Sequence, residues 1–445
     1  MSACDTVAVF SARGKLFGVL AFGVMLLLPT AAASAKSSPG QIACNGSSGL
    51  CERKLNDVVL PGSHNSMSAK ELEWFNPNQT YSMPNQLRRG ARAMLFDTYY
   101  GDPQPNGQVR NVGKAQGKAD GAPIYLCHES CLFGASALIP ELRKIADFLE
   151  ANPYETLVFV NQDAIDPVDF AGAVEAAGLL SYAYTGPAGP WPTLGEMISS
   201  NQRVVFLAEQ DAAGVPWYHR MEGGPLRETP YTFPGGNEIT NPERFNESCR
   251  PGRGEGSATG DSLFLMNHWA SSTDPGSFKP LISKAEIVNT KATIVARARA
   301  CEARRGFLPN ILAVDFFGTG DVVGAADGLN GVSAKAKLSS SRIKRASVRA
   351  GKRAVMRVTI RNRGDAPAGS VKICASVSGK LASRPRCARA GELRAGAVST
   401  VKIRIKTRKK ARGSTPVRFR ITSDAGSASA RATLRVKPAK PKRRS

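Results

Sequence analysis

Seven short, nearly uninterrupted apolar runs punctuate the first 330 residues: Asp57–Leu60, Ala93–Tyr99, Pro123–Cys127, Thr156–Asn161, Arg203–Ala208, Ser262–Asn267 and Ile311–Phe317. A strand that is apolar on both sides needs cover on both faces, which is the condition inside a parallel sheet wrapped by helices. The intervening segments read as helices. Leu138, Leu142, Ile145 and Leu149 recur on one helical face after Ser136, a suitable cap, and further helices are expected over Lys284–Arg304 and Asp321–Gly328. Alternating β and α elements over about 280 residues predict an α/β architecture, closed as a TIM (β/α) barrel or left open. A closed eight-stranded barrel needs one strand more than the seven visible. Tyr218–Gly260, rich in Gly, Pro, Asn and Arg, reads as a long loop reaching over the site.

The pattern changes at Ser333. Residues 333–345 read as a linker, 346–437 as a small antiparallel all-β sandwich of immunoglobulin-like size, and 438–445 as a disordered basic tail. Period-2 segments carry the second reading: Ala354–Arg361, Ser370–Val377, Ser399–Lys406, Pro416–Thr422 and Ala430–Val436. Charge divides at the same place. Residues 334–445 hold 33 Lys and Arg against 3 Asp and Glu, whereas the whole chain is +24, so the first 333 residues are mildly acidic. The basic segment is expected to meet an anionic surface. Nucleic acid is not expected, because Phe419 is the segment's sole Phe, Tyr or Trp and stacking platforms are missing.

Residues 1–35 read as an export signal: Arg13 and Lys15, an apolar core from Leu16 to Leu28, then Ala33-Ser34-Ala35 before Lys36. Residues 36–50 form a polar leader. Export suits the eight remaining cysteines, for which neighbour pairing is the simplest arrangement among about 105: Cys44–Cys51, Cys127–Cys131, Cys249–Cys301 and Cys374–Cys387. The expected product is a secreted monomer.

The ends of the apolar runs carry the chemistry. His64 and Asn65 follow the first, Asp97 sits near the end of the second, and His128 closes the third. Asn161 and Asp163 end the fourth, and Asp315 ends the last. In β/α barrels that rim is the active face. Two imidazoles there can divide the work of accepting and donating a proton. His219 and His268 read as packing residues.

The ordered series Pro61-Gly-Ser-His-Asn-Ser66, Gly90-Ala-Arg-Ala-Met-Leu-Phe-Asp-Thr-Tyr99, Leu126-Cys-His128 and Asn152-Pro-Tyr-Glu-Thr-Leu-Val-Phe-Val-Asn-Gln-Asp163 resembles the X domain of phosphatidylinositol-specific phospholipase C. Trp191-Pro-Thr-Leu-Gly-Glu-Met197, Leu265-Met-Asn-His-Trp269 and Pro309-Asn-Ile-Leu-Ala-Val-Asp-Phe-Phe317 continue it, so the likeness spans residues 51–332, closest to the secreted single-X-domain branch. The resemblance implies a distorted TIM barrel and a phosphoric diester hydrolase. It also implies His64 as general base toward the inositol 2-hydroxyl, His128 as general acid toward the leaving glycerol oxygen, and Asp315 as the carboxylate that orients His64.

It further implies a cation for the phosphate. Asn65 and Asp97 would serve calcium, whose ligands are hard oxygens. Leu95 and Gln162 stand where further acidic ligands are expected. Arg92 is the alternative phosphate partner, and Asp163 a further substrate-binding candidate. A glycerophosphodiester or sphingolipid phosphodiesterase is a second reading, against which Leu95-Phe-Asp97 lacks the usual Glu-x-Asp pair. A non-catalytic barrel that docks lipid or cell-wall polymer is a third.

Overall fold

The structure, a computed structural model, describes residues 42–274, 279–332, 335–364, 366–383, 385 and 387–439. The expected export signal, the start of the leader, residues 333–334 of the linker and the tail from 440 onward lie outside the described residues.

Eleven strands make the first sheet: β1 Leu60–Ser63, β2 Ala93–Pro103, β3 Val109–Val112, β4 Ile124–Leu126, β5 Ser136–Ala137, β6 Leu157–Asp163, β7 Val204–Ala208, β8 Tyr218–Arg220, β9 Leu226–Glu228, β10 Leu263–Asn267 and β11 Ile311–Val314. Eight run parallel in the curled order β8-β7-β6-β2-β1-β11-β10-β9. Two of them, β8 and β9, fall inside the stretch expected to be loop. Among the described residues they do not pair with each other, so the ladder is not closed into a full barrel. Residues 221–225 alone join them, too few for the crossover of a dozen or more residues that neighbouring parallel strands need.

Two expected strands need correction. The first begins at Leu60 and runs through Pro61-Gly62-Ser63, three residues later than the apolar run suggests. Glycine is required there: a Cβ on Gly62 would sit 2.9 Å from Ile311 Cγ2 on β11. The expected third barrel strand, β4, is antiparallel and lies off the parallel path. β2 is eleven residues long, and its outer half pairs with β3 and β4 (Tyr100↔Val112, Thr98↔Leu126).

Strand alternation separates two apolar layers. Leu60, Ala93, Leu95, Val158, Val160, Val205, Leu265 and Ala313 cluster on one face. Met94, Phe96, Phe159, Phe206, Phe264 and Leu312 pack on the other against helix residues such as Leu142, Ile145, Phe170, Ile294 and Ala298. Each large side chain so buried contributes about 1.5–3 kcal/mol, which explains the unbroken apolar runs.

Helix ends also differ from expectation. Ser136 pairs in β5, and the helix that follows spans Leu138–Ala151 with no side-chain cap. The expected helix over Lys284–Arg304 is two, Ile282–Val288 and Lys291–Arg305. Thr290 starts the second by accepting the Thr293 N–H. Asn289, at the break, donates to the Asp315 carbonyl at 2.7 Å, so the interruption supports a strand end.

The basic segment folds into two sheets: β12 Leu338–Ser340, β14 Arg353–Asn362 and β17 Val398–Lys406 in one, and β13 Ala346–Arg349, β19 Gly426–Lys437, β18 Gly413–Ser423, β15 Ala368–Ser376 and β16 Ala388–Leu393 in the other. Met356, Val358, Ile360, Ile403 and Ile405 of the first share a core with Val371, Ile373, Val417, Phe419 and Ile421 of the second. The arrangement is not wholly antiparallel, since β13 runs parallel to β19. Leu338–Ser340, expected as linker, pairs with β14. All four neighbour disulfides are present.

His268 is fully buried. Its Nδ1 accepts from Arg297 Nη1 at 2.9 Å, and its Nε2 lies 2.9 Å from the Val288 carbonyl. Burial, then the guanidinium, lowers its pKa to about 3. The folded chain therefore keeps this ring neutral while the unfolded chain protonates it below about 6.5. Stability is fully present above about pH 6.5 and falls as pH drops toward about 3, by on the order of 4 kcal/mol at most. Urea midpoints across that window should decline, and His268→Gln should flatten the decline.

Candidate active site

His64 follows β1 directly. Ser63 pairs with Val314, and the His64 N–H donates to the Val314 carbonyl at 3.0 Å, which sets His64 beside Asp315 on the neighbouring strand end. Its Nδ1 lies 2.8 Å from Asp315 Oδ1. Asn78 Nδ2 donates to the same carboxylate oxygen at 3.2 Å, and Gln79 Nε2 donates to the His64 carbonyl at 2.6 Å. The indole of Trp269 stacks on the His64 ring, with centroids 3.6 Å apart and planes within 3°. These contacts hold the imidazole by its edge and its face and leave Nε2 as its free nitrogen.

His128 reaches the same cavity from the antiparallel flap rather than from a parallel strand end. It lies between Cys127 and Cys131, whose disulfide closes a turn, and the Cys127 N–H donates to the Asp97 carbonyl on β2. Asn65 Nδ2 lies 3.0 Å from His128 Nε2. An amide nitrogen only donates, so Nε2 accepts and the ring is neutral. Burial, then the nearby His64, lowers the His128 pKa to about 4.

The two rings share a cavity of about 420 Å³ whose wall includes Asn65, Asp97, Gln162, Glu209 and Asp315. Asp97 is 4% exposed, and burial, then Glu209 and Glu129, hold its carboxyl well above the ordinary range. Arg253, from the Tyr218–Gly260 stretch, is the one lysine or arginine on the wall among the described residues. Glu209, at 2.6 Å, and Glu228 already engage it. The cavity thus presents more negative than positive charge to a phosphodiester anion.

That imbalance tests the fit of a cation. Among the described residues no three His, Cys, Asp or Glu side chains gather tightly enough to hold a metal by themselves. Among the described residues the Asp97 carboxyl nevertheless receives no hydrogen bond and faces Glu209 and Glu129, offset in part by Arg253, with the amides of Asn65 and Gln162 on the same wall. Hard oxygens around a buried carboxyl with no hydrogen-bond donor would suit calcium, with substrate and water completing the shell.

Two expected residues are elsewhere. Arg92 precedes β2 at the opposite end of that strand from Asp97. Its Nε donates to Glu155 at 2.6 Å and its Nη1 to the Leu87 and Ala91 carbonyls, so its guanidinium is spent on the fold. Asp163 is fully buried and accepts from the Gln210 and Asp211 N–H groups at 2.9 Å, bracing the loop after β7. Neither lines the cavity. Glu209 and Trp269, just past β7 and β10, were open to the same strand-end reasoning that singled out His64. No sequence signal marks Arg253, Asn78 or Glu129.

The parallel sheet curls, and two imidazoles, one from its carboxyl rim and one from the antiparallel strands beside it, share one cavity. The family model described as PI-PLC X 1 matches residues 50–330, and the chain belongs to the PI-PLC X-domain family. "PI-PLC X domain-containing protein 1" of Arthroderma benhamiae is 27% identical over 319 residues, 69% of this chain and 95% of that one. An "Uncharacterized secreted protein" of the same organism is 28% identical over 301 residues, 63% of this chain and 62% of its own length. Among solved structures, the CARDB domain of the PF1109 protein from Pyrococcus furiosus aligns with 22% of this chain and 89% of its own, at 12% identity and a TM-score of 0.18, an overlap too small to bear on the fold.

Proposed function

We propose that the chain is an exported phosphoric diester hydrolase of the phospholipase C type, acting on phosphatidylinositol or a glycosylated relative. One observation carries the reading: an Asp315-oriented His64 and a second imidazole, His128, open on a single cavity. His64 Nε2 takes the proton from the inositol 2-hydroxyl, whose oxygen attacks phosphorus. The bond from phosphorus to the glycerol oxygen breaks, and His128 protonates that oxygen, giving a cyclic phosphate and diacylglycerol. Asp315 fixes the His64 tautomer and stabilises the imidazolium as it forms. His128 is neutral where it accepts from Asn65, and a phosphate anion bound beside it would supply the charge that favours its protonation. With one imidazole acting as base and the other as acid, kcat/KM should follow a bell-shaped pH profile. His128→Ala should remove the alkaline limb of that profile, and an unchanged alkaline limb in the variant would contradict the role given to His128.

Asp97 and Asn65 would hold calcium, which when bound neutralises the phosphate's developing charge. Calcium at about 100 times its dissociation constant should stabilise the protein by about 2.7 kcal/mol. Asp97→Asn should remove that increment, and in chelator it should raise the thermal midpoint, because it relieves a buried charge facing Glu209 and Glu129. An unchanged calcium response in the variant would exclude Asp97 as a ligand.

Export is supported by four disulfides and by the secreted relative. The decisive assay is release of water-soluble inositol phosphate from phosphatidylinositol vesicles by the purified chain. Absence of release both with calcium and with chelator defeats the proposal.

A further inference from the structure

The outward face of the three-stranded sheet in the basic segment is built against its own stability. β14 presents Arg353, Val355, Arg357, Thr359 and Arg361 outward, and β17 presents Lys402, Arg404 and Lys406, with all six cations exposed. The register sets Arg357 directly opposite Lys402 and Arg353 directly opposite Lys406. Like charges facing across a strand pair destabilise a sheet, and threonine or serine would pair there without that cost.

Among the described residues none of the six joins an ion pair. Two of the segment's three acids are described, and both are engaged elsewhere: Glu392 lies 3.5 Å from Arg394, and Asp424 accepts the Gly369 N–H at 2.9 Å. The five-stranded sheet also sets Arg418 directly opposite Arg431, but on β14 and β17 the cations surround an exposed apolar side chain. Val355, 46% exposed, stands in their midst.

From this we infer that the β14–β17 face is a docking surface for an anionic phospholipid bilayer. Charge complementarity selects an anion, and the shape of the patch selects a plane over a thread. The cations extend from Arg353 to Arg361, about 27 Å of ladder at about 3.4 Å per residue, and spread across two strands. Val355 gives the face an apolar centre ringed by cations. That composition suits an interface between headgroups and acyl chains better than a fully hydrated polyanion. The face offers no aromatic side chain on which nucleic-acid bases could stack. The inference deepens the lipid-directed reading by naming the surface that would bring the enzyme to its substrate.

The test uses the full chain and vesicles without phosphatidylinositol, so attachment is read with no turnover. Co-sedimentation with phosphatidylcholine vesicles containing 30% phosphatidylserine should be strong at low salt and weak at high salt, and absent with phosphatidylcholine alone. Each surface cation removed should cost about fivefold, so Arg357→Thr with Lys402→Thr and Arg404→Thr should weaken binding about a hundredfold. The same triple variant should keep or raise the thermal midpoint, because it removes a like-charge pair. A lowered midpoint with unchanged vesicle binding would mean that these residues serve the fold and would overturn the inference. So would an equal loss of binding from Arg418→Thr with Arg431→Thr on the opposite sheet, or tighter binding to duplex DNA than to the vesicles at matched salt. Failure of phosphatidylinositol cleavage leaves this result standing, since neither His64 nor His128 takes part in it.

Discussion

Replacing His64 by alanine should lower phosphatidylinositol cleavage by about two to four orders of magnitude, and replacing His128 should do the same. The two losses should not add, because in the proposed reaction both groups act on one proton-transfer sequence. Asp315→Asn keeps the shape of the carboxylate but not its charge, and an amide nitrogen turned toward His64 Nδ1 would impose the wrong tautomer. It should cost up to about four orders in kcat with little change in KM. A measurement in which His64→Ala and His128→Ala retain full turnover would assign the chemistry elsewhere. The Trp269 stack allows a finer test, since Trp269→Leu removes the plate against which His64 is held without touching a proton path. Its effect should be smaller, on the order of tenfold, by misorientation alone.

The largest stability effect is expected at Arg297. This guanidinium is fully buried on the helix Lys291–Arg305. Nε donates to Ser248 Oγ at 2.8 Å, Nη2 to the Ser248 carbonyl at 2.9 Å, and Nη1 to the Asn267 carbonyl at 2.6 Å and to His268 Nδ1. Its planar face lies 4.8 Å from the Phe233 ring centroid. Burial pulls its pKa down to about 9, which measures how far the site relies on those acceptors to keep it charged. Arg297→Ala would strand four acceptors and open a large void, at about 3–5 kcal/mol. Arg297→Lys should recover only part of that, because one ammonium cannot reproduce the planar fork. Urea denaturation of both variants separates these values. A loss under about 1 kcal/mol for alanine would show that water replaces the guanidinium without cost.

Sequence pattern revealed the scaffold where segments were long and double-faced. The runs at Ala93, Thr156, Arg203, Ser262 and Ile311 all became parallel strands, and the period-2 stretches of the basic segment became its long strands. It concealed β8 and β9, because three residues are too few to show a period. It also misread β4, since Pro123–Cys127 is as apolar as a barrel strand, and only its pairing with the overlong β2 makes it antiparallel. His64, Asn65, Asp97, His128 and Asp315 were legible because strand ends converge on one rim, and four of the five lie at or beside the parallel sheet's carboxyl edge. Arg92 and Asp163 belonged to the same strands. A one-dimensional reading cannot tell that Arg92 caps the wrong end or that Asp163 is consumed by two backbone amides. Arg253 was out of reach for another reason: its place depends on how the Tyr218–Gly260 stretch folds back onto Glu209 and Glu228.

The indole lying flat on His64 also makes the protein its own optical sensor. Protonated imidazole quenches a tryptophan in van der Waals contact, so emission from Trp269 reports the charge on His64 without any label. With Trp74, Trp191 and Trp217 changed to phenylalanine, a fluorescence titration would follow one proton through the proposed reaction, in a dye-free sample and on intact vesicles.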